Sequence, residues 1–192
     1  MDAFNIYLAG VGGQGIGLLS EIILRAGDHA GLPVKGVDTH GLAQRGGIVK
    51  SQIRMGKEAH APLIAERNAD LVVALERHEA LRAMNIALKD RGTLIYYNAV
   101  WQPLDVRLGR DPEISVQMLE DAAQAREIKA IQVYDPDLPD ARMQNIVLLA
   151  VIAQGELVPG VRVEDYTRAM DDLMAGRMLA TNRNVFDSRL AG

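Results

Sequence analysis

The chain has 192 residues, of which 48% are hydrophobic, and it carries 25 Asp and Glu against 21 Lys and Arg, with no cysteine. Its size and composition are typical of one globular domain, and a net charge of −4 offers no basic surface for nucleic acid. The lack of cysteine excludes disulfides and thiolate-ligated iron–sulfur clusters on this chain.

We expect a cytoplasmic protein that makes no contact with a membrane. Its longest apolar run, residues 146–153, has eight residues, whereas a membrane helix needs about 20. The start of the chain lacks the basic region and long apolar stretch that are typical of a secretion signal.

The first elements in chain order are a strand, a glycine-rich turn and a helix. Residues 4–9 are β-formers, residues 10–15 are rich in glycine, and apolar residues then recur every three or four positions from Ile16. Gly31 and Pro33 end the helix, and residues 34–37 can form a second strand. This unit is predicted to be βαβ, with its two strands as parallel neighbours.

The rest of the chain continues the alternation of strands and helices. Further strands are predicted at 48–55, 71–75, 93–97 and 131–134, and further helices at 79–89, 141–154 and 164–174. Residues 103–127 carry mixed charge and are interpreted as a surface excursion. Met170, Met174 and Met178 are expected in the core, with a partner-facing stripe as the alternative.

These elements predict an α/β protein, a Rossmann-like three-layer fold with a mostly parallel sheet. Residues 1–192 are expected to form one domain. Its end, from about residue 160, is available for contact with a partner, and residues 181–192 are either a docked tail or a contact strip.

The strongest local signal is the turn at Gly10-Val11-Gly12-Gly13-Gln14-Gly15. Between a strand and a helix, such glycines allow a sharp turn at Gly10, close approach of a phosphate at Gly12, and packing of the helix on the sheet at Gly15. We therefore assign Gly10, Gly12, Gly13, Gln14 and Gly15 to a candidate ligand site. A purely structural turn is the alternative.

A second candidate loop follows the second predicted strand. It contributes the site residues Asp38, His40, Gln44, Arg45, Gly46 and Gly47. The carboxyl end of a parallel strand is where open sheets bind ligands, and the planar guanidinium of Arg45 suits a phosphate or carboxylate. Two alternatives stay open: Arg45 pairs with Asp38 in a structural loop, or Asp38 binds a ribose as in nicotinamide enzymes. The spacing of the four histidines predicts no metal site.

With both glycine motifs, Gly10 to Ile16 and Gly41 to Gly47, the sequence resembles the gamma-type subunit of 2-oxoacid:ferredoxin oxidoreductases. In length it looks most like the separate small beta subunit of the indolepyruvate enzymes. The likeness continues through 61–64, 68–70, 74–76, Asn98 with Pro103, Asn145 and 182–186.

The resemblance implies a subunit of an enzyme that oxidatively decarboxylates a 2-oxoacid to an acyl-coenzyme A. Thiamine diphosphate and 4Fe–4S clusters are then expected on a catalytic partner subunit, which passes electrons to ferredoxin. This chain would be inactive alone, hold no catalytic residue or metal of its own, and share part of the coenzyme A site.

Three other functions use the same turn. An adenylyltransferase of the ubiquitin-activating type binds ATP at a GxGGxG turn. A free-standing nicotinamide or flavin reductase would use Asp38, and a nucleotide-binding scaffold would bind a phosphate ligand without catalysis. Tight binding of ATP or NAD by the isolated chain would favour these alternatives over a subunit.

Overall fold

The computed structural model describes residues 2–40, 47–100, 106, 108–109, 112–138 and 140–191. The six strands are β1 Phe4–Val11, β2 Val34–His40, β3 Ile48–Met55, β4 Ala69–Ala74, β5 Leu88–Tyr97 and β6 Lys129–Val133. The helices described by bounds are α1 Ile16–His29, α2 Arg77–Ile86, α3 Val116–Gln124, α4 Gln144–Gln154, α5 Val163–Leu173 and α6 Gly176–Leu190, and a 3₁₀ turn at Ala141–Met143 leads into α4.

The strands form one mostly parallel sheet in the order β2-β3-β1-β4-β5-β6. The pairs β1–β4, β4–β5 and β5–β6 are parallel, whereas β3 is antiparallel to both β1 and β2. The prediction that β1 and β2 are neighbours is wrong, because β3 returns between them. Since both are antiparallel to β3, β1 and β2 still run in the same direction, and their carboxyl ends lie at one edge.

Helices cover the sheet on two sides, which confirms the predicted three-layer α/β fold. We call the side of α1, α4, α5 and α6 the first face; its core includes Ile6, Leu8 and Ile53 from the sheet. The opposite, second face packs Tyr7, Val72, Leu94 and other sheet residues against α2 and α3. Strands β1, β4 and β5 therefore contribute to both cores by alternation of their side chains.

Two predictions for the middle of the chain are wrong. The helix expected to run to Lys89 ends at Ile86, and Leu88 already pairs with Ala69 in the sheet. Residues 89–91 include three charged side chains, so the hydrophobic pattern did not indicate that β5 begins at Leu88. The segment 103–127 also contains α3, whose buried Leu119 and Ala123 pack against α2. Two apolar residues on one face are enough to pack this helix into the second core, because its other face is exposed.

The last helices pack on the first face. Val185 and Phe186 of α6 are buried in its core, which confirms the docked alternative for the tail. Met170 and Met174 are buried as expected, but Met178 is 49% exposed and does not belong to the core. The helix α4 is buried on nearly all sides rather than on one stripe. Among the described residues, no helix is long and apolar enough to cross a bilayer.

Candidate functional site

The glycine turn between β1 and α1 is held by the side chain of Gln14, which is 1% exposed. Gln14 Oε1 accepts a hydrogen bond from the amide of Val11 at 2.7 Å, and Nε2 donates to the carbonyl of Leu75 at 3.2 Å. The amide of Leu75 in turn donates to the carbonyl of Ala9 at 3.0 Å. Gln14 thus ties the turn to the end of β4, the parallel neighbour of β1.

Gly15 lies just before α1, and its backbone has the positive φ of 81° that favours glycine. A Cβ atom at this position would lie 2.5 Å from Nδ2 of Asn145, which itself donates to the carbonyl of Gly15 at 3.2 Å. The close approach predicted for Gly15 therefore exists, but its partner is the start of α4 rather than the sheet. Asn145 is one of the positions through which the family likeness extends, and it anchors this turn.

The two glycine motifs meet through their backbones. The amide of Gly12 donates to the carbonyl of Gly47 at 2.8 Å. The amides of Val11 and Gln14 also have acceptors inside the turn, Gln14 Oε1 and the Val11 carbonyl. These three amides are occupied by protein acceptors, so a phosphate would have to use other donors of the turn, such as the first amides of α1.

The remaining predicted site residues are placed only in part. Asp38 lies within β2 rather than after it, and its Oδ1 accepts a hydrogen bond from Ser20 Oγ at 3.2 Å. His40 is the last residue of β2, and its side chain lies outside the described part of the structure. Gln44, Arg45 and Gly46 also lie outside the described residues, as does the alternative pairing of Arg45 with Asp38.

A second turn, between β4 and α2, lies beside the glycine turn and is built on a buried carboxylate. Glu76 is 1% exposed, and it accepts hydrogen bonds from the amides of Glu79 and His78, the latter at 2.9 Å. Its Oε2 also lies 3.3 Å from Nδ1 of His78. Because His78 Nε2 accepts the amide of Ile114 at 3.2 Å, the ring proton is on Nδ1 and points to Glu76.

Glu79 continues this acidic turn onto the second face. It is 3% exposed and lies 3.3 Å from Arg82 Nη2. Burial raises the pKa of Glu79, and the charge of Glu76 adds to this, while Arg82 and Lys50 act in the opposite direction. Burial, followed by the charge of Glu79, also raises the pKa of Tyr7. The buried Glu79 therefore lies in a charged environment next to the glycine turn.

Arg77 connects the end of β4 with the end of β5. Its Nε donates to Asn98 Oδ1 at 3.0 Å, and its Nη1 donates to the carbonyl of Ile114 at 2.9 Å. Hydrogen bonds from side chains therefore connect the turns that follow β1, β4 and β5 at the carboxyl edge of the sheet. Within the described ranges, no three His, Asp or Glu side chains lie close enough together to hold a metal ion.

The sequence analysis missed Glu76, Arg77 and His78 as parts of this edge. Acids and bases that flank a buried strand are usually solvated, so they gave no distinct signal. Two indications were available: residues 74–76 belong to the family resemblance, and Glu76 lies directly before a helix, where a side-chain oxygen can cap free amides.

Comparisons with known proteins agree over almost the whole chain. The sequence profile of the family described as pyruvate ferredoxin/flavodoxin oxidoreductase matches residues 5–190. The chain is 32% identical over 188 residues to indolepyruvate oxidoreductase subunit IorB of Methanothermobacter thermautotrophicus, covering 95% of this chain and 94% of that protein. It is 49% identical over 94 residues to the IorB subunit of Archaeoglobus fulgidus, covering 49% of this chain but only 45% of that protein.

Solved structures show the same fold at low sequence identity. The gamma subunit of a keto/oxoacid ferredoxin oxidoreductase from Geobacter sulfurreducens has a TM-score of 0.66 and 20% identity, covering 98% of this chain and 99% of that one. Pyruvate oxidoreductase subunit PORC from Thermotoga maritima has a TM-score of 0.65 and 19% identity, covering 100% and 97%. The 2-oxoglutarate:ferredoxin oxidoreductase from Magnetococcus marinus has a TM-score of 0.67 and 18% identity, covering 100% of this chain and 31% of that one.

Proposed function

The chain belongs to the pyruvate ferredoxin/flavodoxin oxidoreductase family, and from this premise we propose that it is the small subunit of a 2-oxoacid:ferredoxin oxidoreductase. The proposed substrate is indolepyruvate or a related 2-oxoacid, and the proposed location is the cytoplasm. The observation that carries this proposal is the nearly full-length match to an indolepyruvate oxidoreductase subunit.

In this proposal the chain is one part of an enzyme whose cofactors are on a catalytic partner subunit. Thiamine diphosphate there would supply the decarboxylation, and iron–sulfur clusters would carry the electrons to ferredoxin. Two observations support this: the chain has no cysteine for a cluster, and among its described residues no group of three His, Asp or Glu side chains could hold a metal ion for a diphosphate. We therefore assign no reaction step to its own side chains.

The part of the site that this chain would share is an anion site between the loop that ends at Gly47 and the first amides of α1, beside the contact of Gly12 with Gly47. Arg45 belongs to the loop that ends at Gly47, and its guanidinium suits the phosphates of coenzyme A. A carboxylate of the partner subunit is the other anion that this arrangement would accept. The contact between the two glycine motifs supports the shared site.

The alternative functions have less support. An adenylyltransferase or a nicotinamide enzyme would need the amides of the glycine turn for its phosphates, and those of Val11, Gly12 and Gln14 are occupied. The ribose-binding acid of a reductase would be Asp38, whose carboxylate already accepts from Ser20. Family membership favours the subunit over both.

The test of the proposed function is reconstitution. The chain is expressed with the thiamine-binding subunit from the same organism, and reduction of ferredoxin is measured with indolepyruvate and other 2-oxoacids in the presence of coenzyme A. We expect activity from the complex and none from either chain alone. An isolated chain that contains iron, or that turns over substrate without a partner, would refute the proposal.

The shared anion site is tested by Arg45→Lys and Arg45→Ala in the same complex. Lysine keeps the charge but loses the two-pronged geometry, so the Michaelis constant for coenzyme A should rise for Arg45→Lys and rise further for Arg45→Ala. Weaker association of the subunits would instead indicate a partner carboxylate. Unchanged values for both quantities in both variants would show that Arg45 is not part of a site.

A further inference from the structure

The second face of β2 and β3 differs from the rest of the sheet because no helix packs over it within the described residues. The helix contacts of β2 and β3 come from α1, which lies on the first face, whereas α2 packs over β1, β4 and β5. Among the described residues, the loop at 61–64 borders the second face of these two strands, where the amide of Ile64 donates to Gln52 Oε1 at 2.7 Å.

This uncovered surface is basic although the chain as a whole is acidic. The cross-strand register places Lys35 opposite Arg54 and Thr39 opposite Lys50, all on the second face. We call Lys35, Lys50 and Arg54 the basic strip. In the part of the chain that the structure describes, no carboxylate oxygen lies within ion-pair distance of any of the three. The charges of the strip are thus left without a direct counter-charge.

The basic strip also contains a pair of like charges that lowers the stability of the sheet. Like charges directly opposite each other on paired strands are destabilising, and Lys35 faces Arg54 in this way. Arg54 is held in place by neutral acceptors, with its Nε donating to Asn5 Oδ1 at 2.9 Å and its Nη1 to the Ala61 carbonyl at 3.2 Å. Lys50 lowers the pKa of Glu79 through its charge, but Glu79 is buried and already paired with Arg82. A negatively charged partner would relieve the repulsion.

The features next to the basic strip are typical of a protein interface. Leu63, next to Ile64 and Gln52, is 65% exposed and supplies an apolar contact beside the strip. Lys50 and Arg54 are four residues apart on one strand, so their Cα atoms are about 13 Å apart. β2 is also the edge strand of the sheet, where an extended segment can lie alongside.

We propose that the basic strip docks an extended, carboxylate-bearing segment of the thiamine-binding partner subunit, with Leu63 as the apolar contact at its side. This inference rests on the proposed function for the identity of the partner. The charge of the surface, the lack of a covering helix among the described residues and the edge strand favour a protein segment with acids spaced along one side.

The test measures the dissociation constant between the separately purified chain and the thiamine-binding subunit for Lys35→Glu and Lys50→Glu. We expect each variant to weaken association at least tenfold at low salt, about 0.05 M, and the difference to shrink near 0.5 M because salt screens the attraction. Catalytic rate at saturating concentrations of this chain should stay as in the wild type. Lys129→Glu, on the exposed strand β6 at the other edge, is the matched control and should leave association unchanged.

A second readout separates docking from folding. Lys35→Glu creates an opposite-charge pair with Arg54, so the isolated variant should be at least as stable as the wild type while it binds its partner more weakly. Wild-type dissociation constants for both variants would overturn the docking inference and leave the proposed function intact. No association of the wild-type chain with the thiamine-binding subunit would overturn both. A dimer of this chain that Lys35→Glu dissociates would overturn the inference in favour of self-association.

Discussion

Two turns at the carboxyl edge connect neighbouring parallel strands to helices, and they begin those helices in opposite ways. After β1, Gly15 turns the backbone with a positive φ, and no side chain caps α1. After β4, the Glu76 carboxylate caps α2 by accepting from the amides of His78 and Glu79. We call these the glycine turn and the acidic turn.

The difference shows how the two turns depend on their surroundings. The glycine turn is neutral, and distant groups support it: Gln14 bridges to β4, Asn145 reaches it from α4, and Gly47 meets Gly12. The acidic turn is supported locally, but it buries Glu79, whose raised pKa couples folding to pH. The stability of the glycine turn should therefore respond mainly to changes in side-chain size, and that of the acidic turn to changes in charge.

The largest expected effect is that of Gly15→Ala. The new Cβ would have both a positive φ and a contact of 2.5 Å with Asn145 Nδ2, so the free energy of unfolding should fall by about 3 kcal/mol. Urea denaturation measures the change. Gly13→Ala is the matched control, because its φ of 104° is also positive but its Cβ would meet nothing within 4 Å. Equal losses for both variants would show that Asn145 gives way at no cost.

Next in size is Glu76→Ala in the acidic turn. Removing this buried cap leaves two amides and the Nδ1 proton of His78 without their acceptor, so we expect a loss of about 2 kcal/mol in the free energy of unfolding. The exposed cap of α3, Ser115, which accepts the Met118 amide at 3.1 Å, provides the comparison through Ser115→Ala, with a loss of about 1 kcal/mol. A smaller loss for Glu76→Ala than for Ser115→Ala would contradict the role of burial.

The glycine turn was largely predictable from the sequence and the acidic turn was not. Glycines at Gly10, Gly12 and Gly15 between a strand and a helix form a local pattern, and the strand and helix were confirmed at nearly the expected bounds. The partners Gln14 to Leu75 and Gly15 to Asn145 are 61 and 130 residues apart, and no local pattern encodes them. Glu76 could not be distinguished from a solvated flanking acid.

The sheet order shows the same limit. The alternation in Ile48–Met55 predicted a strand correctly, but strand pairing depends on long-range contacts. Placing β3 between β1 and β2 pairs Ile53 with both Ile6 and Gly36, which buries it completely. The second-face residues of the same strand, including Lys50 and Arg54, are only partly buried. Alternation alone identifies the strand and leaves open which neighbours it has.

A smaller effect is expected for Gln14→Met, which tests the bridge between the two turns. Methionine has a similar length but leaves the Val11 amide and the Leu75 carbonyl without their partners, at a cost of about 1.5 kcal/mol in the free energy of unfolding. The cost is below that of Glu76→Ala because both lost bonds are between neutral groups. Gln124→Met on the exposed side of α3 should change stability by less than about 0.5 kcal/mol. If both glutamine variants behave alike, the bridge does not stabilise the fold.

The smallest expected effect concerns pH and the acidic turn, and it uses Glu79→Gln. Burial, the main cause, raises the pKa of Glu79 above its ordinary value of 4.5, so the folded chain keeps this proton to a higher pH than the unfolded chain does. Unfolding then releases a proton between these two pKa values, and the contribution of Glu79 to stability falls as the pH rises through this interval. The slope is at most about 1.4 kcal/mol per pH unit, because one proton is released.

Glutamine at this position cannot titrate, so Glu79→Gln should gain stability relative to the wild type as the pH rises above 4.5 and level off once Glu79 is ionised in the folded chain. Urea denaturation across this interval measures the difference. Arg82→Gln provides the opposite comparison: Arg82 lowers the pKa of Glu79, so its loss should extend the fall in stability to higher pH. The glycine turn has no such group, and Gly13→Ala should keep the pH dependence of the wild type. Parallel pH profiles for the wild type and Glu79→Gln would show that the acidic turn does not couple folding to pH through this carboxyl.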